Sequence, residues 1–493
     1  MTGHAWYLLV VLVAAIAILV ALINSRLRLH PFVALLVTAV ATGLLAGESP
    51  AKLVDALEEG AGGILGDVGV TLALGTMLGR LLADSGATDR IARVIVARAS
   101  ARALPLAMAA AAFVIGVPMF FEVGLIVLLP LVFGVARRVR TERPEIGSPY
   151  TLLVVPTIAA LSTLHGLVPP HPGPLVAVSG LHADLGKTIA LGLLCAVPTV
   201  VLAGPVFARF LADRVPVQAD DSLVEQFVGA RREPATASMA GAGVPARSGG
   251  PGATGGHGDG HGRGAGVDGA GTEVPVATAL FCVAVPVLLM LVRTVAEIVL
   301  PDGSPVTQTA TLLGDPAIAM LVGFLVAYAL LGIGRGRGGE EVRRSVSDSL
   351  KPVVGILLII GGGGAFNGVL KSSGIGGAIA TAAEHAHVDV LVLGWLLALL
   401  LSATTGSATV GIVSSTGIVA PLVHDPGSWH TSLLVIAIGA GSIGLNWVNH
   451  AGFWLVKESF GMTLGQATKI HTTTQTLVSV IALAMVLLLS IWV

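Results

Sequence analysis

LHGLVPPHPGPLVA, residues 164–177, sets His165, His171 and four prolines between flanks apolar enough to span a membrane. Proline removes a helix N–H donor and forces the preceding residue out of helical geometry, so VPPHPG predicts a broken helix. Non-helical backbone at membrane depth is tolerated only where protein or a water-filled cavity surrounds it. The stretch therefore predicts a membrane helix interrupted where a ligand, not lipid, meets the backbone.

The rest of the chain agrees with a membrane setting. Of its 493 residues 54% are hydrophobic and 12% charged, with a mean hydropathy of +0.88, far from a soluble globular composition. Apolar runs long enough to cross a core of about 30 Å recur at 5–23, 31–47, 61–82, 150–164, 186–210, 275–300, 314–334, 350–370 and 472–493. The expected fold class is an all-α polytopic membrane protein. MTGHAW has no positive n-region, which makes the first run a span and not a signal peptide. Cys195 and Cys282 lie in separate apolar runs and read as small core residues, not a disulfide.

Arginine placement orients the chain. Arg26 and Arg28 follow the first span and Glu48, Asp55, Glu58 and Glu59 the second, so both termini are expected outside and residues 24–30 in the cytoplasm. Two successive segments, 80–104 and 137–149, are arginine-rich, yet only the stretch 105–136 separates them, with GVPMFFEVG (116–124) at its middle. That combination predicts a re-entrant hairpin whose tip points at a site.

The glycine-rich run SGGPGATGGHGDGHGRGAGVDGAG, 248–271, separates two hydrophobic halves. His257, Asp259 and His261 within it read as solvated linker residues, not a metal site. LGRLLADSGATDRIA (78–92) aligns with FNGVLKSSGIGGAIA (366–380) through Leu82, Ser85, Gly86 and Ala92. FEVGLIVLLPLV (121–132) and HPGPLV (171–176) find counterparts in ATVGIVSSTGIVAPLV (408–423) and HAGFWLV (450–456). Each half would cross the membrane an odd number of times, which makes the second an inverted repeat of the first, the plan of secondary transporters. The expected divisions are a first repeat over 1–211 (hairpin 105–136, broken helix 150–182), a cytoplasmic linker over 212–274 and a second repeat over 275–493 (hairpin 390–424, broken helix 430–458).

The breaks carry the chemistry. They offer Glu122, His165, His171 and Gly173 in the first half, and Thr404, Thr405, Ser407, Thr409, Asn446, Asn449, His450 and Gly452 in the second. Helix N-termini at such breaks favour an anion, and neutral hydroxyl and amide groups suit a polyol. Glu122 is the lone carboxylate of its hairpin, and the cost of burying it charged marks it as a candidate proton carrier. His171 and His450 hold matching positions in the two halves, whereas packing at a helix end accounts for His165 nearly as well. IIGGGGAF (359–366) lacks the Gly-Lys-Ser/Thr ending of a phosphate loop and reads as glycines for helix packing.

FFEVGLIVLLPLVF (120–133), HGLVPPHPGP (165–174), GDPAIA (314–319), IIGGGGAFNGVL (359–370), GSATVG (406–411) and VNHAGFWLVKE (448–458) together resemble the gluconate permease (GntP) family of bacterial gluconate:proton symporters, within the ion transporter superfamily. The resemblance implies proton-coupled uptake of gluconate or a related sugar acid across the bacterial inner membrane, by a multi-pass protein that is not an enzyme. Relatives in that family carry idonate, fructuronate or D-serine, so a permease for D-serine or another small hydroxycarboxylate is the alternative. Where the family usually reads VNDPGFW, this chain has His450 and Ala451. The expected partners are a small organic anion, protons and the bilayer, with no cofactor, metal or nucleic acid, and a homodimer is left open. An intramembrane metalloenzyme is the remote alternative, because His165 and His171 lack i, i+4 spacing and have prolines between them. A nonselective channel fits paired broken helices less well than alternating access does.

Overall fold

The computed structural model describes residues 2–24, 26, 28–100, 102–142, 147–217, 273–301, 304–386 and 389–492. Residues 218–272 of the expected linker, with His257, Asp259 and His261, lie outside the described residues. Every regular element among those described is a helix, the form in which a single segment satisfies its own backbone in lipid.

The first half runs α1 (Gly3–Asn24), α2 (Pro31–Leu45), α3 (Pro50–Asp84), α4 (Ala87–Ala97), α5 (Leu104–Gly116), α6 (Phe121–Glu142), α7 (Pro149–Leu167), α8 (Pro172–Gly180) and α9 (Leu185–Val201). A π turn, Leu202–Val206, carries α9 on into Phe207–Ala212. The second half runs α10 (Val276–Val299), α11 (Pro305–Leu313), α12 (Pro316–Ala327), α13 (Gly339–Ser349), α14 (Lys351–Ser372), α15 (Ile375–Ala386), α16 (Val390–Thr405), α17 (Ala408–Val419), α18 (Trp429–Ile443), α19 (Ala451–Ser459) and α20 (Thr473–Ser490). Leaving aside the short α11 and α13, the two halves present the same order: three helices, a short helix, two helix pairs each split by a break, and a final helix. Gly86 and Gly374, aligned in sequence, both adopt left-handed φ of 73° and 77° just before α4 and α15.

Among the described residues, eight helical segments are long and apolar enough to cross a membrane. The expected span 31–47 is the 15-residue α2, about 22 Å long and short for a bilayer core. The third span, expected over 61–82, is the inner part of a 35-residue helix, so Asp55, Glu58 and Glu59 belong to α3 and not to a loop. Proline at N1 starts it early, and its glycines, weak helix formers in isolation, are used for packing. A Cβ on Gly60 would strike the Gly364 carbonyl, and one on Gly368 the Ala56 carbonyl, so α3 and α14 touch backbone to backbone. The GGGG run of α14 also seats Gly362 against Phe32 and Leu35 of α2.

The centre is built from α7 and α18, buried on every side except at His165 and at the first two residues of α18, as helices largely apolar all round must be. They cross where Gly166 and Gly439 meet, again too closely for a Cβ. Polar links gather the arginine-bearing segments at one end. Arg80 Nε reaches Asp84 Oδ1 (3.0 Å) and Ser345 Oγ (2.9 Å), and Arg337 Nη2 reaches Asp84 Oδ2 (3.4 Å). Arg90 pairs with Glu273 (2.6 Å), Arg209 donates to the Arg102 carbonyl (2.8 Å) and Gln466 to that of Pro216 (2.6 Å). The opposite ends of α3 and α14 are joined by Lys52, which donates to the Ser372 carbonyl (2.8 Å).

Candidate functional site

Each helix pair breaks for a local reason. Between α5 and α6 lies Val117–Pro118–Met119–Phe120, and between α7 and α8 lies VPPH, with a cis Pro169–Pro170 bond. Gly406, at φ 71°, stops α16, and a Cβ there would strike the Asn449 carbonyl. Ser407 restarts the chain as the N-cap of α17, its Oγ accepting from Val410 N–H (3.3 Å). His450 caps α19 in the same manner, Nδ1 accepting from Gly452 N–H (3.2 Å). In the neutral ring this fixes the remaining proton on Nε2.

The four restarts converge. A cavity of ≈ 190 Å³ is lined by Phe121 and Glu122 at the start of α6, Pro172 at the start of α8, Ser407, Ala408 and Thr409 at the start of α17, and His450 and Ala451 at the start of α19. Helix N-termini leave N–H groups without intrahelical partners and carry partial positive charge. No lysine or arginine lines the cavity, so those four termini are its source of positive potential, with the rings of His165 and His450 beside them. Its side-chain donors and acceptors, Ser162, Ser407, Thr409, Asn446 and Gln475, are neutral. Glu122 stands in the first turn of α6 with no hydrogen-bond or ion-pair partner among the described residues.

Of the expected contacts, Glu122, His165, Ser407, Thr409, Asn446 and His450 line this cavity. His165 approaches His171 ring to ring (5.8 Å), and its Nδ1 has no partner. The others lie elsewhere. His171 bonds through Nε2 to the Gly116 carbonyl (3.1 Å) and lines a separate space of ≈ 20 Å³. One water takes roughly 10–15 Å³ by such a measure, so no substrate fits there. Gly173 packs against Ile412 of α17. Thr404 and Thr405 turn their hydroxyls back to helix carbonyls of Leu400 (2.7 Å) and Leu401 (2.6 Å). Asn449 is exposed and donates to the Ala403 carbonyl (2.7 Å), which ties the two breaks of the second half together. Gly452 supplies its N–H to His450 and packs against Phe121.

The sequence reading missed Ser162 in mid-helix and Gln475 near the start of the last span. It also missed His471, which stacks edge-on with Phe121 (5.9 Å) and Phe453 (5.8 Å) and lies 6.3 Å from the His450 ring, with neither nitrogen in a hydrogen bond of ordinary geometry. His471 sits in a π turn, Thr468–Thr472, a device common at functional sites. The signal was available: HTTTQT, 471–476, is an unbroken polar run where an apolar span begins.

The family model described as GntP family permease matches residues 6–241 and 270–492. The chain belongs to the GntP permease family. It is 39% identical to the gluconate permease of Pseudomonas aeruginosa, over 100% of this chain and 99% of that one. It is 32% identical to the D-serine transporter DsdX of Escherichia coli K12, over 99% of each. Its helices superpose on the crystal structure of the Alcanivorax borkumensis YdaH transporter, described as having an unusual topology, with a TM-score of 0.55 over 94% of this chain and 96% of that one. At 16% identity that likeness concerns the fold alone. The family and these relatives are permeases and transporters, not enzymes.

Proposed function

We propose that the protein carries gluconate or a closely related sugar acid, together with protons, across the bacterial inner membrane by alternating access between two inverted repeats. The observation that supports it most strongly is the convergence of four helix N-termini on one cavity without a lysine or arginine. An anion is held there by backbone N–H groups and dipoles, while serine, threonine, asparagine and glutamine remain for the hydroxyls of a polyol. The gluconate permease named above supports the substrate class.

Glu122 supplies the coupling. Its carboxylate occupies the positive end of α6, the kind of place an anionic substrate also seeks. Two negative charges on neighbouring sites repel, so protonating Glu122 and binding the anion favour each other, and such linkage is reciprocal. The arginine-rich end, with Arg80, Arg90, Arg102, Arg209 and Arg337, faces the cytoplasm by the positive-inside rule. Uptake of radiolabelled gluconate into proteoliposomes, with unlabelled gluconate, L-idonate and D-serine as competitors, tests the substrate class. Competition by the two sugar acids well below the concentration of D-serine needed is the expected result. The reverse order would move the protein to an amino-acid permease.

A further inference from the structure

Gln475 and Ser162 are cavity-lining residues that neither repeat symmetry nor the helix breaks account for. Gln475 stands on α20, 3% exposed, and Ser162 on α7, 1% exposed. Gln475 Nε2 donates to Ser162 Oγ (2.9 Å), while Gln475 Oε1 is buried without a partner. Ser162 accepts that bond and donates its own O–H to no group among the described residues. Among the described residues the pair therefore leaves both kinds of capacity unused at the cavity: the Gln475 carbonyl as acceptor, and the Ser162 O–H with the second Gln475 N–H as donors. Both kinds of capacity survive an exchange of the amide oxygen and nitrogen: Ser162 then donates to the amide oxygen, leaving the two N–H groups of the NH₂ as donors and the Ser162 lone pairs as acceptor.

A buried carbonyl left unpaired is costly, so a ligand that completes it is selected over one that does not. A carboxylate only accepts and an ammonium only donates, and either would satisfy half of the pair. A hydroxyl both donates and accepts. We infer that Gln475 and Ser162 form a specificity subsite that reads one hydroxyl of the substrate, separate from the helix N-termini that hold its charge. The inference rests on the hydroxy-acid reading above and sharpens it: the anion is recognised by its charge at one group of residues and by a hydroxyl at another.

The test is a cycle of ligand and protein changes. Binding to purified protein is measured by competition for gluconate and its monodeoxy analogues, and in parallel for D-serine and D-alanine, which differ by one hydroxyl. In the wild type, removal of one particular hydroxyl weakens binding by about tenfold or more, the scale of a lost buried hydrogen bond. In Gln475→Leu that penalty collapses, because the parent acid falls to the level of its deoxy analogue, whereas the penalties for the other hydroxyls stay as in the wild type. A merely structural role for the pair would weaken every ligand equally and keep all ratios. Should Gln475→Leu fail to fold, Ser162→Ala carries the same expectation. A wild type that binds D-serine and not gluconate overturns the sugar-acid reading while the D-serine and D-alanine arm still decides the subsite. Unchanged ratios in a folded variant, or a wild type indifferent to every hydroxyl or binding none of these acids, overturn the inference.

Discussion

Glu122 could be singled out from the sequence because a lone carboxylate among GVPMFFEVG has no partner nearby in the chain, and the structure adds that it begins a helix and lines the cavity. Glu122→Gln keeps the shape and hydrogen-bonding capacity but fixes the group as neutral. Proton-driven accumulation should fall to the level of protein-free liposomes, while exchange of labelled for unlabelled substrate persists. Accumulation at the wild-type level with unchanged pH dependence would transfer the role to His165, His450 or His471. His450 was also visible, though for an incomplete reason. Its Nδ1 caps α19, a task more often performed by Asp, Asn, Ser or Thr. The hydroxyls of Thr404 and Thr405 misled because Thr in a helix bonds back to the preceding turn as readily as to a ligand. Gln475 and Ser162 were hidden because an apolar period, once recognised, absorbs single polar residues.

At the scale of elements, prolines and glycines made the breaks legible: each one in the structure lies at GVPMF, VPPHPG, TTGS or GLNWVNH. What the pattern did not carry was the length of α3, whose glycines look like helix breakers until α14 is seen lying on them. Gly60 and Gly364 approach with no room for a side chain. Gly364→Val should therefore separate the two helices, with a loss of about 1–3 kcal/mol or more and a lower thermal transition in detergent. Gly377, open to space on the next helix, should tolerate Ala within about 0.5 kcal/mol. Equal transitions for the two variants would remove the glycine contact as a structural requirement. The short α11 and α13 escaped notice because neither is long enough to span, and α13 carries Glu340, Glu341, Arg343 and Arg344 on an amphipathic helix.

At the scale of the whole molecule, the ion pairs of Arg80, Arg90 and Arg337 join the arginine-rich segment 80–104 to Glu273 and to the start of α13, so these segments meet at one end. Single cysteines at Ala99 and at Asp425 should be labelled by an impermeant thiol reagent from opposite sides, Ala99 from the cytoplasm. Labelling of both from one side would remove the inverted arrangement. The central claim is that an anion and a proton share one route through the cavity at the helix breaks. Purified protein in sealed liposomes, given external radiolabelled gluconate and an inward proton gradient, tests it most directly. The account predicts transient accumulation above the external concentration that an uncoupler abolishes. Equilibration at the external concentration, at the same rate with or without the gradient, would contradict it.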